Sequence, residues 1–148
     1  MSSDWEALVE AYRNTSYRVM LPGEWVDVRI GEPLPHVLTA MLQAAGKFNW
    51  AIVTAENPGS RQLNSAENGR RRQALEQQLF AQGKNFFLTK HIADDPAWPL
   101  ERGHFVIGMT EKEAQAMGQA WGQKAVVVGS VCDLDRLCTT DHPRLLVV

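Results

Sequence analysis

The chain reads as an α/β domain, a mixed β-sheet of about six strands with about four helices packed on it, and three observations point there. Segments with apolar residues at helical spacing alternate with β-rich runs. Two of those runs, Trp50-Ala51-Ile52-Val53 and Ala125-Val126-Val127-Val128, are apolar without a polar alternate, as strands covered on both faces are. Finally, 148 residues with 45% apolar and 22% charged types match one globular domain, 1–148, rather than a disordered, fibrous or coiled-coil chain.

Trp5, Leu8, Val9 and Tyr12 share one face of a first helix, for which Ser3 and Asp4 offer capping oxygens and which ends near Asn14. Tyr17 to Leu21 and Trp25 to Ile30 flank Pro22-Gly23-Glu24, the turn chemistry of an N-terminal hairpin. Pro33 and Pro35 break the chain before a second helix, in which Val37, Leu38, Met41, Leu42 and Ala45 recur at helical spacing and Gly46 follows the end. Trp50 to Val53 is the expected central strand. A third helix runs from Ser65 to Gln82 and stops at Gly83. Asn85 to Thr89 then reads as a strand, Asp94 to Gly103 as a proline-broken loop and Phe105 to Met109 as another strand, a unit resembling a parallel βαβ crossover. Thr110 and Glu113 form a capping box for a fourth helix whose Ala114, Met117 and Trp121 face the core and which Gly122 closes. Ala125 to Val128 is a buried strand, and Leu145 to Val148 one more at an edge.

Fifteen Lys and Arg against seventeen Asp and Glu leave a net charge of −2, without the basic excess of a nucleic-acid surface. The N-terminus has neither the basic nor the apolar region of a secretion signal, and no apolar run is long enough to cross a bilayer, so a cytoplasmic protein without membrane contact is expected. Cys132 and Cys138 lack neighbours that would complete a metal site and read as reduced thiols. His36, His91, His104 and His142 are scattered, and no Walker, dinucleotide or nucleophile-elbow pattern is present, so no metal or cofactor is expected and catalysis is disfavoured.

One segment carries candidate chemistry. Residues 54–72, TAENPGSRQLNSAENGRRR, join the carboxyl end of the expected central strand to a helix start, which is where open α/β sheets bind ligands. Pro58-Gly59-Ser60 turns the chain, and Asn64 with Glu67 makes an asparagine version of the capping box. Around that turn lie Thr54, Asn57, Ser60 and Asn68, the acids Glu56 and Glu67, and the arginines Arg61, Arg70, Arg71 and Arg72. A helix amino end favours an anion, and arginine grips phosphate or carboxylate in two places at once. The bland alternative is that Glu67 and Arg71, four apart, form only a surface ion pair.

Thr54-Ala55 with Asn57-Pro58, Ser60, Leu63, Glu67-Asn68, Arg71 and Leu75, followed by Asp95-Pro96, Trp98-Pro99, Glu101, Gly108 and Gly122-Gln123-Lys124-Ala125, resemble the bacterial family known as domain of unknown function 3293 (DUF3293). The motif-bearing part is 48–128. The resemblance implies a small cytoplasmic bacterial α/β domain and supplies no catalytic residues. It also suggests that Trp98, Glu101 and Gln123 fold toward the Asn57 loop. Three readings follow. The first is a binding site for a small anionic ligand, bearing phosphate or carboxylate, at Thr54, Asn57, Ser60, Arg61, Glu67, Asn68, Arg71, Trp98, Glu101 and Gln123. The second is a non-catalytic module that docks a protein partner or a second copy of itself through the arginine-rich helix or the Trp25 side of the hairpin. The third is an enzyme using Glu67 or Glu101 as base near Asn57.

Overall fold

The structure, a computed structural model, describes residues 2–132 and 142–148. Along the chain come α1 (Ser2–Arg13), β1 (Thr15–Leu21), β2 (Glu24–Val28), α2 (His36–Ala44), β3 (Asn49–Val53), α3 (Ser65–Ala81), β4 (Asn85–Ala93), β5 (Glu101–Ile107), α4 (Glu111–Ala120), β6 (Ala125–Ser130) and β7 (Arg144–Val147). The α/β class, the four helices and the β1–β2 hairpin are as read from the sequence. Among the described residues the sheet has seven strands in the order β2-β1-β4-β5-β3-β6-β7.

The strand pairing differs from the expected mixed sheet, because every neighbouring pair is antiparallel. β3 and β4 do run parallel and are joined through α3, but β5 lies between them and pairs with both. In the same way β5 and β6 run parallel, joined through α4, with β3 between them. The predicted crossover is therefore a split one, and two of them interlock as the βαββαβ unit of a ferredoxin-like topology. The continuous apolar runs that suggested parallel pairing have another cause. β3 and β6 are covered on both faces, and a strand buried twice has no wet side whatever its neighbour's direction.

Successive residues of β3 divide between two cores. Trp50 and Ile52 join Tyr17, Val19, Phe105 and Val127 under Leu38 and Leu42 of α2. Ala51 and Val53 join Val106, Val126 and Val128 under Leu75 and Leu79 of α3 and Ala114 and Met117 of α4. The expected capping box is present: the Thr110 amide donates to Glu113 Oε1 at 3.0 Å and the Glu113 amide to Thr110 Oγ1 at 3.2 Å. The Thr110 amide and, second, Lys84 hold the Glu113 carboxyl below its usual range. α1 begins at Ser2, which puts Asp4 inside its first turn, where a negative charge suits the helix dipole, rather than ahead of it as a cap.

Two smaller expectations change. Cys132 is disulfide-bonded and not a reduced thiol, since composition carries no information on oxidation state; Cys138 lies outside the described residues. β4 and β5 are longer toward their shared loop than predicted, reaching Ala93 and starting at Glu101. Among the described residues no helix is long and apolar enough to cross a membrane.

Candidate functional site

At the end of the sheet where β3 and β4 finish and β1, β5 and β6 begin, α1 stands off from the strands and leaves a cavity of about 590 Å³. Ala7, Leu8, Ala11 and Tyr12 of α1 form its roof, and Tyr17, Ile52, His91, Ala125 and Val127 its floor. Its rim is made by Asn57, Ser60 and Gln62 of the β3–α3 connection and by Asp95, Trp98 and Pro99 of the β4–β5 loop. Apolar walls with a few convergent polar groups are the ordinary make-up of a small-molecule site.

The polar end is built from Asn57 outward. Asn57 has φ 50° and Ser60 φ 63°, so two side-chain-bearing residues sit in the left-handed region, one just before the short turn Pro58–Ser60 and one at its end. A reciprocal amide pair holds that conformation. The Asn57 backbone amide donates to Asn68 Oδ1 at 3.0 Å, and Asn68 Nδ2 donates to Asn57 Oδ1 at 2.8 Å. Asn57 Oδ1 also accepts from the Leu63 amide, which leaves Nδ2 to donate to Glu101 Oε2 at 3.1 Å. Tyr17, His91 and Glu101 are direct register partners across β1, β4 and β5. His91 Nδ1 is 3.5 Å from Glu101 Oε1, its Nε2 is 2.8 Å from Thr89 Oγ1, and its ring meets the Tyr17 ring edge-on at 4.8 Å. The imidazole leans over Gly103, where a Cβ would come within 2.9 Å of Nε2 and 2.5 Å of the Val53 carbonyl oxygen, so glycine there is a packing requirement. The Tyr12 phenol is pushed up to about 12 by burial and, second, by the Glu101 charge. Burial, then Tyr12 and Glu101, raise Tyr17 well above its ordinary value too.

Six of the ten residues singled out in the sequence line this cavity: Thr54, Asn57, Ser60, Trp98, Glu101 and Gln123. Thr54 Oγ1 donates to the Arg102 carbonyl at 2.7 Å and Gln123 Nε2 to the Glu56 carbonyl at 3.0 Å, so both brace the loops as well as facing the space. Trp98 is 60% exposed at the rim.

Arg61, Glu67, Asn68 and Arg71 do not line it. Asn68 acts through Asn57, and Glu67 belongs to the α3 cap, its amide donating to Asn64 Oδ1 at 2.8 Å. Arg71 turns inward, where Nε donates to the Ala55 carbonyl and Nη2 to the Trp121 carbonyl at 2.7 Å, so it ties the end of β3 to the end of α4. Arg72 pairs with the buried Glu56 at 3.0 Å, and the backbone amide of Arg102 donates to the other Glu56 oxygen at 3.0 Å. No Arg or Lys is among the described residues that line the cavity, whereas Glu10, Asp95 and Glu101 are.

Sequence reasoning missed Tyr12, Tyr17 and His91. The signal available for His91 was its place in the alternation Phe87, Thr89, His91, Ala93, where a polar residue takes an inward position. Among the described residues no group of three or more His, Cys, Asp or Glu side chains is arranged to hold a metal ion. A family model described as a protein of unknown function, DUF3293, matches residues 53–126, from the last residue of β3 to the second of β6. That stretch carries Asn57, His91, Trp98, Glu101 and Gln123, while the roof helix precedes it. No curated protein and no solved structure matches the chain.

Proposed function

Because the chain belongs to the DUF3293 family of proteins of unknown function, we propose its role from the cavity: it binds a small molecule between α1 and the sheet. The apolar part of that molecule lies against Leu8, Ala11, Ile52 and Val127, and its polar end meets Asn57, Glu101 and Gln123. The observation that supports this most is the convergence on one 590 Å³ space of polar side chains from separate connections, with Asn57 held in a strained conformation to reach Glu101. The anionic end expected from the arginines is not part of this reading, since Arg71 is occupied by two carbonyls and Arg61 stands outside the cavity.

A thermal-shift screen of small metabolites tests it. A ligand at about one hundred times its Kd stabilises by about 2.7 kcal/mol, which is readily seen. Hits should disappear in Ala11→Trp, which fills the space below the roof, and persist in Phe80→Ser, on α3 across the sheet. Hits that survive Ala11→Trp, or a library that moves nothing, would overturn the proposal.

A further inference from the structure

Resting on the cavity reading above, we infer that the molecule bound there carries a positive charge, an amine or other cationic nitrogen, seated against Glu101. Of two acids close together at this end of the sheet, Glu56 is buried and neutralised by Arg72. Among the described residues Glu101 has no Arg or Lys partner. Among the described residues its ion-pair contact is His91 Nδ1, and 3.5 Å is well beyond the roughly 2.7–2.9 Å of a charge-assisted hydrogen bond. The carboxylate is nevertheless aimed, with Oε2 fixed by Asn57 at 3.1 Å and Asn57 fixed in turn by Asn68.

The surroundings favour the same sign. Glu10 and Asp95 add negative charge to the lining, and Tyr12, Tyr17 and Trp98 add aromatic rings, whose faces attract cations. No Lys or Arg in the described lining would repel a cation, and an anion placed there would meet Glu101 in a partly dry site where repulsion is poorly screened.

Tryptamine, tryptophol and indoleacetate share one apolar body and end in an ammonium, a hydroxyl and a carboxylate; calorimetric titration of the full chain with each reads the charge preference directly. Tryptamine should bind at least about tenfold more tightly than tryptophol, with indoleacetate weakest. Glu101→Gln should bring tryptamine to within about threefold of tryptophol, and Asp95→Asn, in the exposed loop, should give a smaller loss of the preference in the same direction. Equal or tighter binding of tryptophol or indoleacetate to the wild-type protein would overturn the charge assignment and leave the cavity reading standing, as would a tryptamine preference that survives Glu101→Gln. If none of the three binds at up to about 10 mM, both readings fall.

Discussion

The two faces of the sheet are closed in different ways. On one, α3 and α4 bring Leu75, Leu79, Ala114 and Met117 down onto Ala51, Val53, Val106 and Val126, and all of these are buried. On the other, α2 does the same with Leu38 and Leu42, but from Asp4 to Arg13 α1 contributes no fully buried side chain, and it leaves the cavity beneath it. α1 and α4 nonetheless have similar amphipathic patterns in the sequence, with apolar residues three and four apart. Periodicity identifies the face a helix turns toward the protein; whether that face meets side chains or empty space is decided by what the strands below present.

Removing apolar volume from each face should expose the difference. Leu79→Ala, on the closed side, is expected to cost about 3 kcal/mol in urea unfolding, the usual effect of a new cavity in a full core. Gly103→Ala should come next at about 2 kcal/mol, because the added methyl meets a backbone carbonyl that cannot step aside and a His91 ring that can only leave its place. A stability change indistinguishable from zero there would mean that the ring is not fixed over β5. Arg71→Met should cost about 1.5 kcal/mol by stranding the Ala55 and Trp121 carbonyls, and it should leave binding in the cavity nearly unaltered. A variant that loses binding while keeping its stability would return Arg71 to the site. Leu8→Ala, in the roof, should cost less than about 1 kcal/mol, and a loss as large as that for Leu79 would erase the contrast between the faces.

The last test shifts a titration and leaves stability at neutral pH in place. His104 is fully buried on the closed face, its Nε2 3.0 Å from Glu76 Oε1 and its Nδ1 without a partner among the described residues, and burial holds its pKa below the ordinary imidazole value of 6.5 despite Glu76. A depressed histidine binds fewer protons folded than unfolded, so its contribution is intact above 6.5 and is lost as pH falls through the lower folded value. NMR of the ring protons should show His104 titrating below 6.5; a midpoint at or above that value would contradict this account.

Much of this was legible in the residues. Capping at Thr110 and Asn64, the Pro58 turn and the hairpin follow from short-range chemistry that tertiary context seldom overrides. The approach of Glu101 and Gln123 to the Asn57 loop was suggested by the family resemblance, which grouped them with that loop. The far ends of β4 and β5 were not legible. His91 and Glu101 fell outside the expected strands because inward strand positions are expected to be apolar, and here the inward side faces a cavity. Nor could sequence separate an arginine that holds a ligand from one that holds two carbonyls. Arg71 satisfies the same donor geometry either way, and only the fold determines which acceptors arrive.

The interleaved strand order also governs how the chain can be assembled during synthesis. β3 borders only β5 and β6, so when Val53 has left the ribosome its first partner, beginning at Glu101, has not yet been made, and its second begins at Ala125. A strand buried on both faces must therefore wait, its edges open, while β4 and β5 form their hairpin and return to it. Closing so long a loop is slow and leaves a sticky segment exposed meanwhile. Mutations that loosen the β4–β5 pairing should accordingly lower the yield of folded protein by more than their effect on the finished fold would suggest.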